Sequence, residues 1–179
     1  MNEIASRYAE ALYSLKKEDG TLLNSQQEAK ELLKIIKDNP DFVILLSSFS
    51  LNGEEKEKII DETFKSIDED IKNLMKIVVK NHRARYLKDI LITYNSLINE
   101  YRGVREGLVY STEPLNEEQL LKITSAISEK EKFPVELINI IDPDIIGGVK
   151  VVINDHIYDG SLKYHIEHMK LTLLKKEGE

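Results

Sequence analysis

A pair of adjacent glycines, Gly147-Gly148, has the composition of a loop that could cradle a phosphate group. No Lys-Ser or Lys-Thr pair follows it and no Gly-x-Gly-x-x-Gly pattern accompanies it, so neither common nucleotide-binding fingerprint is present. A turn at the entry to a strand is the simpler interpretation. Nearby, Asp142 and Asp144 could offer oxygen ligands to a divalent cation, but calcium takes six or more ligands and the intervening Pro143 is typical of an ordinary turn. We therefore predict neither a nucleotide cofactor nor a metal at this loop.

Three histidines near the end of the chain are the other candidate metal ligands. His165 and His168 fall on one face of a helix, where they could bind zinc together with His156. The sequence contains no cysteine, and no Glu-x-x-His pattern lies beside these residues, so solvated histidines are expected. Since no nucleophile is paired with a base either, the sequence predicts a protein without catalytic residues.

A cluster of basic residues could contact RNA phosphates. It lies at the start of a long predicted helix and comprises Lys80, His82, Arg83, Arg85 and Lys88. No aromatic stacking motif surrounds it. The whole chain is also acidic, with 25 Lys and Arg against 32 Asp and Glu and a formal net charge of −7, the opposite of a surface selected to attract phosphates. A small RNA-binding or ribosome-associated factor is therefore the alternative function, and salt-dependent retention on RNA would favour it.

The composition is typical of a folded globular protein. Of the 179 residues, 41% are hydrophobic and 32% are charged, and this length fits either one larger domain or two small ones. The absence of cysteine excludes a disulfide scaffold and fits a reducing cytosol. No apolar run approaches the ~20 residues of a membrane-spanning helix, and residues 1–12 lack the features of a secretion signal. We expect any membrane association to come through a partner.

The first hundred residues have the periodicity of a helical bundle of about six helices. Short breakers separate the segments, among them Gly20, the Asn39-Pro40 turn and Gly53. The first predicted helix ends near Lys17. The second, fourth, fifth and sixth helices span about 22–37, 54–66, 68–80 and 87–101, and a short apolar segment occupies 42–49.

After Gly103 the pattern changes to mixed strands and helices. Strands are predicted at 108–110, 135–141 and 149–153, the last forming a hairpin with 156–158 across Asn154-Asp155. Asn116 and Gln119 form a capping box that opens a helix to about Lys130.

The chain ends in a predicted helix capped by Asp159-Gly160-Ser161, with Leu162, Ile166, Met169 and Leu173 on one face. The predicted fold is thus mainly α: a helical bundle in 1–104 and a small α/β domain in 105–179. Gly103 and Gly107 are expected in an exposed linker between them.

Two of the predicted helices, the first and the fifth, are apolar over an arc of ~200°, about twice what a surface helix needs. The arcs contain Ile4, Ala5, Tyr8, Ala9, Ala11, Leu12, Tyr13 and Leu15 on the first helix, and Ile71, Leu74, Met75, Ile77, Val78 and Val79 on the fifth. Only Lys16 interrupts the arc of the first helix. Either each helix buries one flank and offers the other to a partner helix, or both are central helices of the bundle. A large exposed apolar patch would favour the interpretation that both helices offer a flank to a partner helix.

Three segments resemble the family of ATP synthase delta subunits and mitochondrial oligomycin-sensitivity-conferring proteins. Arg7-Tyr8-Ala9-Glu10-Ala11-Leu12 resembles the opening motif of that family. The segment from Asp142 to Val149, followed by Val152-Ile153-Asn154-Asp155 and Asp159-Gly160-Ser161, is similar to its carboxy-terminal signature. Asn81-His82-Arg83 matches its Asn-Gly-Arg turn, with His82 in place of glycine, and Asn154 also stands where glycine is common. Asparagine tolerates a left-handed backbone almost as glycine does.

The resemblance implies a stator subunit without catalytic residues, peripheral to the cytoplasmic face of the cell membrane. Its helical domain would grip the amino-terminal helix of an alpha subunit between the first and fifth helices. Its second domain would hold the carboxy terminus of the b-subunit stalk. Tyr8, Ala11 and Ile77 match positions that the family places in the groove. The predicted partner-binding residues are Tyr8, Ala11, Leu12, Leu15, Leu74, Ile77, Val78 and Asn81.

Overall fold

The computed structural model describes residues 2–176, and side chains as far as residue 170, so the side chain of Leu173 lies outside the described residues. Two compact units make up the chain, Met1–Tyr101 and Arg102–Glu179. The first is helical and the second contains a small sheet with helices. This confirms the predicted fold class.

The helices of the first unit follow one another with short connections. They are α1 (Glu3–Glu18), α2 (Leu22–Asp38), α3 (Pro40–Ser47), α4 (Gly53–Thr63), α5 (Glu69–Lys80) and α6 (Leu87–Arg102), with a 3₁₀ turn at Ala84–Tyr86 before α6. The segment predicted only as apolar, 42–49, lies mostly in α3, which Pro40 opens from its first position. Helix α4 ends at Thr63 rather than near Ser66, so that prediction was three residues too long.

Side-chain caps fix where several of these helices begin. Asn52 accepts from the backbone N–H of Glu55, whose carboxylate accepts in return from the N–H of Asn52, and this capping box starts α4. Asp68 accepts from the N–H of Asp70 at 2.9 Å and starts α5. Asn2 does the same for α1 through the N–H of Ile4. Each cap satisfies a backbone donor that the helix itself leaves unpaired.

The core of the first unit is apolar with a few internal polar pairs. Buried side chains from α1, α2, α5 and α6 supply most of it, among them Leu12, Leu32, Met75, Val78, Leu87, Ile90 and Ile98. Two pairs join α2 to α6: the hydroxyls of Ser25 and Tyr94 lie 2.5 Å apart, and Gln26 donates to Asn99 at 2.6 Å. Since buried polar groups must be paired, these contacts restrict how α2 and α6 pack.

The second unit contains a four-stranded sheet in the order β2-β1-β3-β4. Its elements are β1 (Arg105–Ser111), α7 (Glu117–Glu131), β2 (Val135–Ile141), β3 (Val149–Ile153), β4 (His156–Asp159) and α8 (Leu162–Lys176). Strands β1 and β2 are parallel, while β1–β3 and β3–β4 are antiparallel. The parallel pair is connected through α7, and Ile127 of that helix belongs to the same buried cluster as Val109 and Val151 of the sheet. The helix thus covers one face of the sheet.

The side chain of Glu131 ties the end of α7 to the sheet. It accepts from the hydroxyl of Tyr158 at 2.6 Å and from Arg105 at 2.9 Å, and it pairs with His156 at 2.7 Å. The hydrogen bond from Tyr158, and next that from His156, lower the pKa of Glu131. The carboxylate therefore stays ionised where α7 meets β1 and β4.

Gly107 is not part of an exposed linker, contrary to the sequence-based expectation. It is buried within β1, opposite Leu137 of β2. A Cβ atom at this position would lie 2.5 Å from the side chain of Ile153 and 2.9 Å from that of Leu137. Gly103 has a φ of +63° and open space around it, as a glycine after a helix commonly has.

Candidate functional site

Helices α1 and α5 are antiparallel neighbours joined by polar contacts at both ends. Near the start of α1, Tyr8 contacts Asn81, which follows the last residue of α5. Near the end of α1, Lys16 pairs with Asp68 and Asp70, at the start of α5. The predicted groove would lie along the flanks of the two helices between these contacts.

The turn after α5 gives the Asn81-His82-Arg83 motif its shape. The N–H of Arg83 donates to the carbonyl of Val78, and the N–H of His82 donates to that of Val79, each at 2.9 Å. These two bonds form a Schellman motif, which needs a left-handed residue just past the helix. His82 is that residue, with a φ of +56°. This backbone requirement explains why glycine would suit position 82.

The motif directs two side chains towards α1. Arg83 donates to the hydroxyl oxygen of Tyr8 at 3.2 Å, and its guanidinium carbon lies 5.8 Å from the centre of the Tyr8 ring. Asn81 donates to the same oxygen at 3.3 Å and also to the carbonyl of Ile77 at 2.9 Å. One phenol oxygen on α1 thus accepts from two residues after α5, which fixes the spacing of the helices at this end.

The opposite end is closed by a charged group. The side chain of Lys16 is 3% exposed, and its ammonium lies 2.6 Å from an oxygen of Asp68 and 2.6 Å from one of Asp70. Burial disfavours its charged form, but the hydrogen bonds to the two carboxylates outweigh this and raise the pKa of Lys16. Burial likewise opposes ionisation of Asp68, yet Lys16 and backbone N–H groups lower the pKa of Asp68. The residue that interrupts the apolar arc of α1 is therefore a buried ion-pair partner.

The predicted partner-binding residues divide into a floor and an exposed rim. Leu12, Leu74 and Val78 are buried in the bundle core. The remaining five are accessible: Tyr8 is half-buried, Ala11 and Asn81 are exposed, and Leu15 and Ile77 are 42% and 51% exposed. Each helix therefore buries one flank in the bundle and leaves the other apolar flank uncovered in this chain.

A cleft of about 430 Å³ lies at the Tyr8 end of the groove. Its lining residues are Glu3, Ile4, Arg7, Tyr8, Ala11 and Arg83. The sequence placed Tyr8 and Ala11 in the groove, whereas it assigned Arg83 to a basic cluster and to the Asn-Gly-Arg turn but not to the groove. The Asn-x-Arg turn that follows α5 was the signal for Arg83, since the Schellman geometry turns the chain back towards α1.

The glycine pair of the second unit has a structural role. The N–H of Leu162 donates to the carbonyl of Gly147 at 2.9 Å, and the N–H of Gly160 donates to that of Val149 at 2.9 Å. Ser161 caps α8 by accepting from the N–H of Tyr164 at 3.2 Å. The signature resembling that of the family therefore joins the loop before β3 to the start of α8.

Among the described residues, no group of three or more His, Cys, Asp or Glu is arranged to hold a metal ion. Within the same part of the chain, no helix is both long and apolar enough to cross a bilayer.

Comparison with known proteins gives consistent matches over nearly the whole chain. A family model, ATP synthase delta (OSCP) subunit, matches residues 4–173. The chain is 33% identical over 172 residues to ATP synthase subunit delta of Geobacillus sp. (strain WCH70), covering 96% of this chain and 97% of that protein. It is 34% identical over 173 residues to ATP synthase subunit delta of Bacillus thuringiensis (strain Al Hakam), covering 96% of each.

A solved structure also has a similar fold. It is a chain in the cryo-EM structure of the Toxoplasma gondii mitochondrial ATP synthase hexamer, which matches with a TM-score of 0.69 over 97% of this chain and 98% of that one. The two chains are 16% identical in sequence, so this match shows a shared fold.

Proposed function

Because the chain belongs to the ATP synthase delta (OSCP) family and is thus a subunit of an ATP synthase, we propose that it is a non-catalytic stator subunit. In this role it links the catalytic head of an F-type enzyme to the peripheral b-subunit stalk. The link resists the torque of the rotor while protons drive ATP synthesis. Its contribution is mechanical.

The observation that carries this proposal is the uncovered apolar flank between α1 and α5. Ala11, Leu15 and Ile77 expose apolar surface along a groove whose floor is the bundle core. An amphipathic helix that lays its apolar face into such a groove is a common mode of recognition. We assign the amino-terminal helix of the alpha subunit to this groove.

The stalk is assigned to the second unit. Exposed apolar side chains follow the outer part of α8, including Leu162, Ile166 and Met169. Their spacing of four and three residues places them on one stripe of the helix, which is suited to packing against another helix. The carboxy terminus of the b subunit is the proposed partner for this unit. Through these two partners the chain would sit at the cytoplasmic face of the membrane.

The RNA-binding alternative is less well supported by the geometry. The chain has a formal net charge of −7, and one member of the basic cluster, Arg85, donates to the hydroxyl of Tyr86 at 2.8 Å. Family membership also favours an ATP synthase role over a ribosomal one.

The test is reconstitution with membranes from which this subunit has been removed. Adding the chain should restore proton-driven ATP synthesis, while ATP hydrolysis by the detached head should not depend on it. A tagged chain should also co-purify with alpha and b subunits from native membranes. Co-purification with ribosomal components and not with ATP synthase would contradict the proposal, as would loss of hydrolysis by the isolated head when the chain is absent.

A further inference from the structure

At the Tyr8 end of the groove, Arg83 has N–H donors that could bind an anion. Arg83 has five N–H donors, of which one bonds to Tyr8 at 3.2 Å. Within the described residues, no Asp or Glu lies within ion-pair distance of Arg83. The Tyr8 oxygen accepts from both Asn81 and Arg83, so its own hydroxyl proton is available to an acceptor on another molecule. The Arg83 guanidinium and the Tyr8 hydroxyl therefore line the cleft as donors, and no carboxylate among the described residues pairs with Arg83.

The second arginine of the cleft is weakly held. Arg7 pairs with Glu3 at 2.6 Å, but the two side chains are 77% and 80% exposed. An ion pair with that exposure contributes little and is easily exchanged. Glu3 also lines the cleft and offsets the charge of Arg7, so the net positive charge of the lining is that of Arg83, while Arg7 can exchange Glu3 for an incoming anion.

The two ends of the groove differ in charge. At the far end, Asp68 and Asp70 flank the buried ammonium of Lys16, so an acidic side chain arriving there meets two carboxylates. At the Tyr8 end it meets Arg83 and the exposed Arg7–Glu3 pair, a lining with one cation in excess. The walls beside these arginines are apolar, provided by Ile4 and Ala11. A carboxylate on the edge of an apolar helix matches this combination of surfaces, whereas a free phosphate would use only the charges.

Resting on the function proposed above, we propose that Arg83, positioned by Tyr8, is a specificity-determining residue of the groove. It binds a side-chain carboxylate of the docked amphipathic helix. The planar guanidinium fork suits a carboxylate in a two-bond geometry. The Schellman motif after α5 fixes the backbone of Arg83, and the bond to Tyr8 orients its side chain. A carboxylate held at one end sets the register and direction in which the apolar residues of the helix meet Ala11, Leu15 and Ile77.

The test uses titration calorimetry on the full-length chain. The probe is a synthetic peptide that covers the amino-terminal helix of the alpha subunit of the same organism, amidated at its carboxy terminus so that only side-chain carboxylates remain. In a matched peptide series, each Asp or Glu is replaced singly by Asn or Gln. Arg83→Gln should weaken binding of the unsubstituted peptide about tenfold, the effect expected when one charge-assisted interaction is lost.

One peptide of the series should show the same loss with the wild-type chain, and no further loss when combined with Arg83→Gln. Tyr8→Phe, which keeps the ring and removes the hydroxyl, should weaken binding about threefold, and only for peptides that retain that carboxylate. The control is Arg85→Gln, since Arg85 bonds to Tyr86 outside the cleft lining, and it should leave affinity unchanged.

The outcomes separate this inference from the function on which it rests. Suppose that the unsubstituted peptide binds the wild-type chain. The assignment to Arg83 is then overturned if Arg83→Gln leaves affinity unchanged, or if its effect on affinity adds to that of every peptide substitution. In either case the groove assignment stands. If the peptide does not bind the wild-type chain at all, both the groove assignment and this inference are overturned. Thermal unfolding of each variant shows that the loss of binding is not a loss of fold.

Discussion

Gly148 lies directly against the backbone of Gly160: a Cβ atom built on Gly148 would lie 2.3 Å from the carbonyl oxygen of Gly160. Gly148 also has a φ of +80°, in the left-handed region that other residues adopt at a cost. Both constraints arise because the loop before β3 and the segment before α8 touch through their main chains. Gly148, the second glycine of the pair that could have cradled a phosphate, is thus required by backbone packing.

Gly148→Ala should destabilise the second unit by about 3 kcal/mol or more, the sum of the left-handed backbone cost and the steric overlap with Gly160. Gly103→Ala is the matched control, since Gly103 has a φ of +63° but open space around it, and should cost only about 1 kcal/mol. Hydrogen exchange of amides in β1–β4 measures the change locally. Equal effects of the two substitutions would show that the close approach to Gly160 contributes nothing.

The fragment 1–104 should fold alone. The buried residues of the first core run from Ala5 to Ile98, and those of the second run from Val109 to Ile153, so no buried residue belongs to both clusters. A unit that carries its own core can retain a cooperative transition. Circular dichroism should show a helical fragment with a sigmoidal thermal melt, and a non-cooperative melt would contradict the proposed boundary.

Local signals in the sequence predicted much of the fold. The capping box of Asn116 and Gln119 and the hairpin at Asn154-Asp155 both lie where they were expected. Asn154 adopts a φ of +49°, as its replacement of glycine predicted. These features involve residues within a few positions of one another, so the sequence contains all of their determinants.

Contacts between distant residues could not be predicted in this way. Lys16 interrupts an apolar arc, and nothing near it in the sequence indicates that Asp68 and Asp70, more than fifty residues later, bury its charge. Gly107 was misplaced for a related reason, because its close neighbours Leu137 and Ile153 belong to other strands. The same limit hid the contact of Arg83 with Tyr8, 75 residues away in sequence.

Lys16→Met should destabilise the first unit by about 2 kcal/mol, because it leaves two carboxylates facing an apolar side chain. The effect is smaller than for a fully buried pair, since Asp68 and Asp70 are 33% and 36% exposed. Lys58→Met is the control, because Lys58 pairs with Glu62 on an open surface, and should change stability by less than about 0.5 kcal/mol. Urea unfolding followed by circular dichroism measures both, and equal effects would mean that burial of Lys16 adds nothing.

The same ion pair predicts how stability depends on acid. The pKa of Asp68 is lowered in the folded chain, so its contribution is present above the unfolded value of about 3.9 and is lost as the pH falls through the folded pKa. The free energy of unfolding should therefore fall progressively below about pH 5. In Asp68→Asn, which lacks this titration, the acid dependence should be shallower. A slope unchanged by the substitution would show that Asp68 is not linked to folding.

Ala11→Asp should abolish binding of the alpha-derived peptide and leave the fold intact. Ala11 is exposed and lines the cleft, so an aspartate there stays hydrated in the free chain. In the complex it would be desolvated beside the docked helix and would repel the helix carboxylate assigned to Arg83, at a cost on the order of several kcal/mol. Ile77→Ala should weaken peptide binding more mildly, by about 1 to 2 kcal/mol, because Ile77 is already 51% exposed and loses only apolar contact.

Asn24→Asp is the control for Ala11→Asp, since it adds the same charge to an exposed position of α2, and should leave peptide affinity unchanged. Thermal melts beside the titrations distinguish the possible roles: a large drop in melting temperature for Ala11→Asp would assign Ala11 to the core, and an unchanged affinity would remove α1 from the groove.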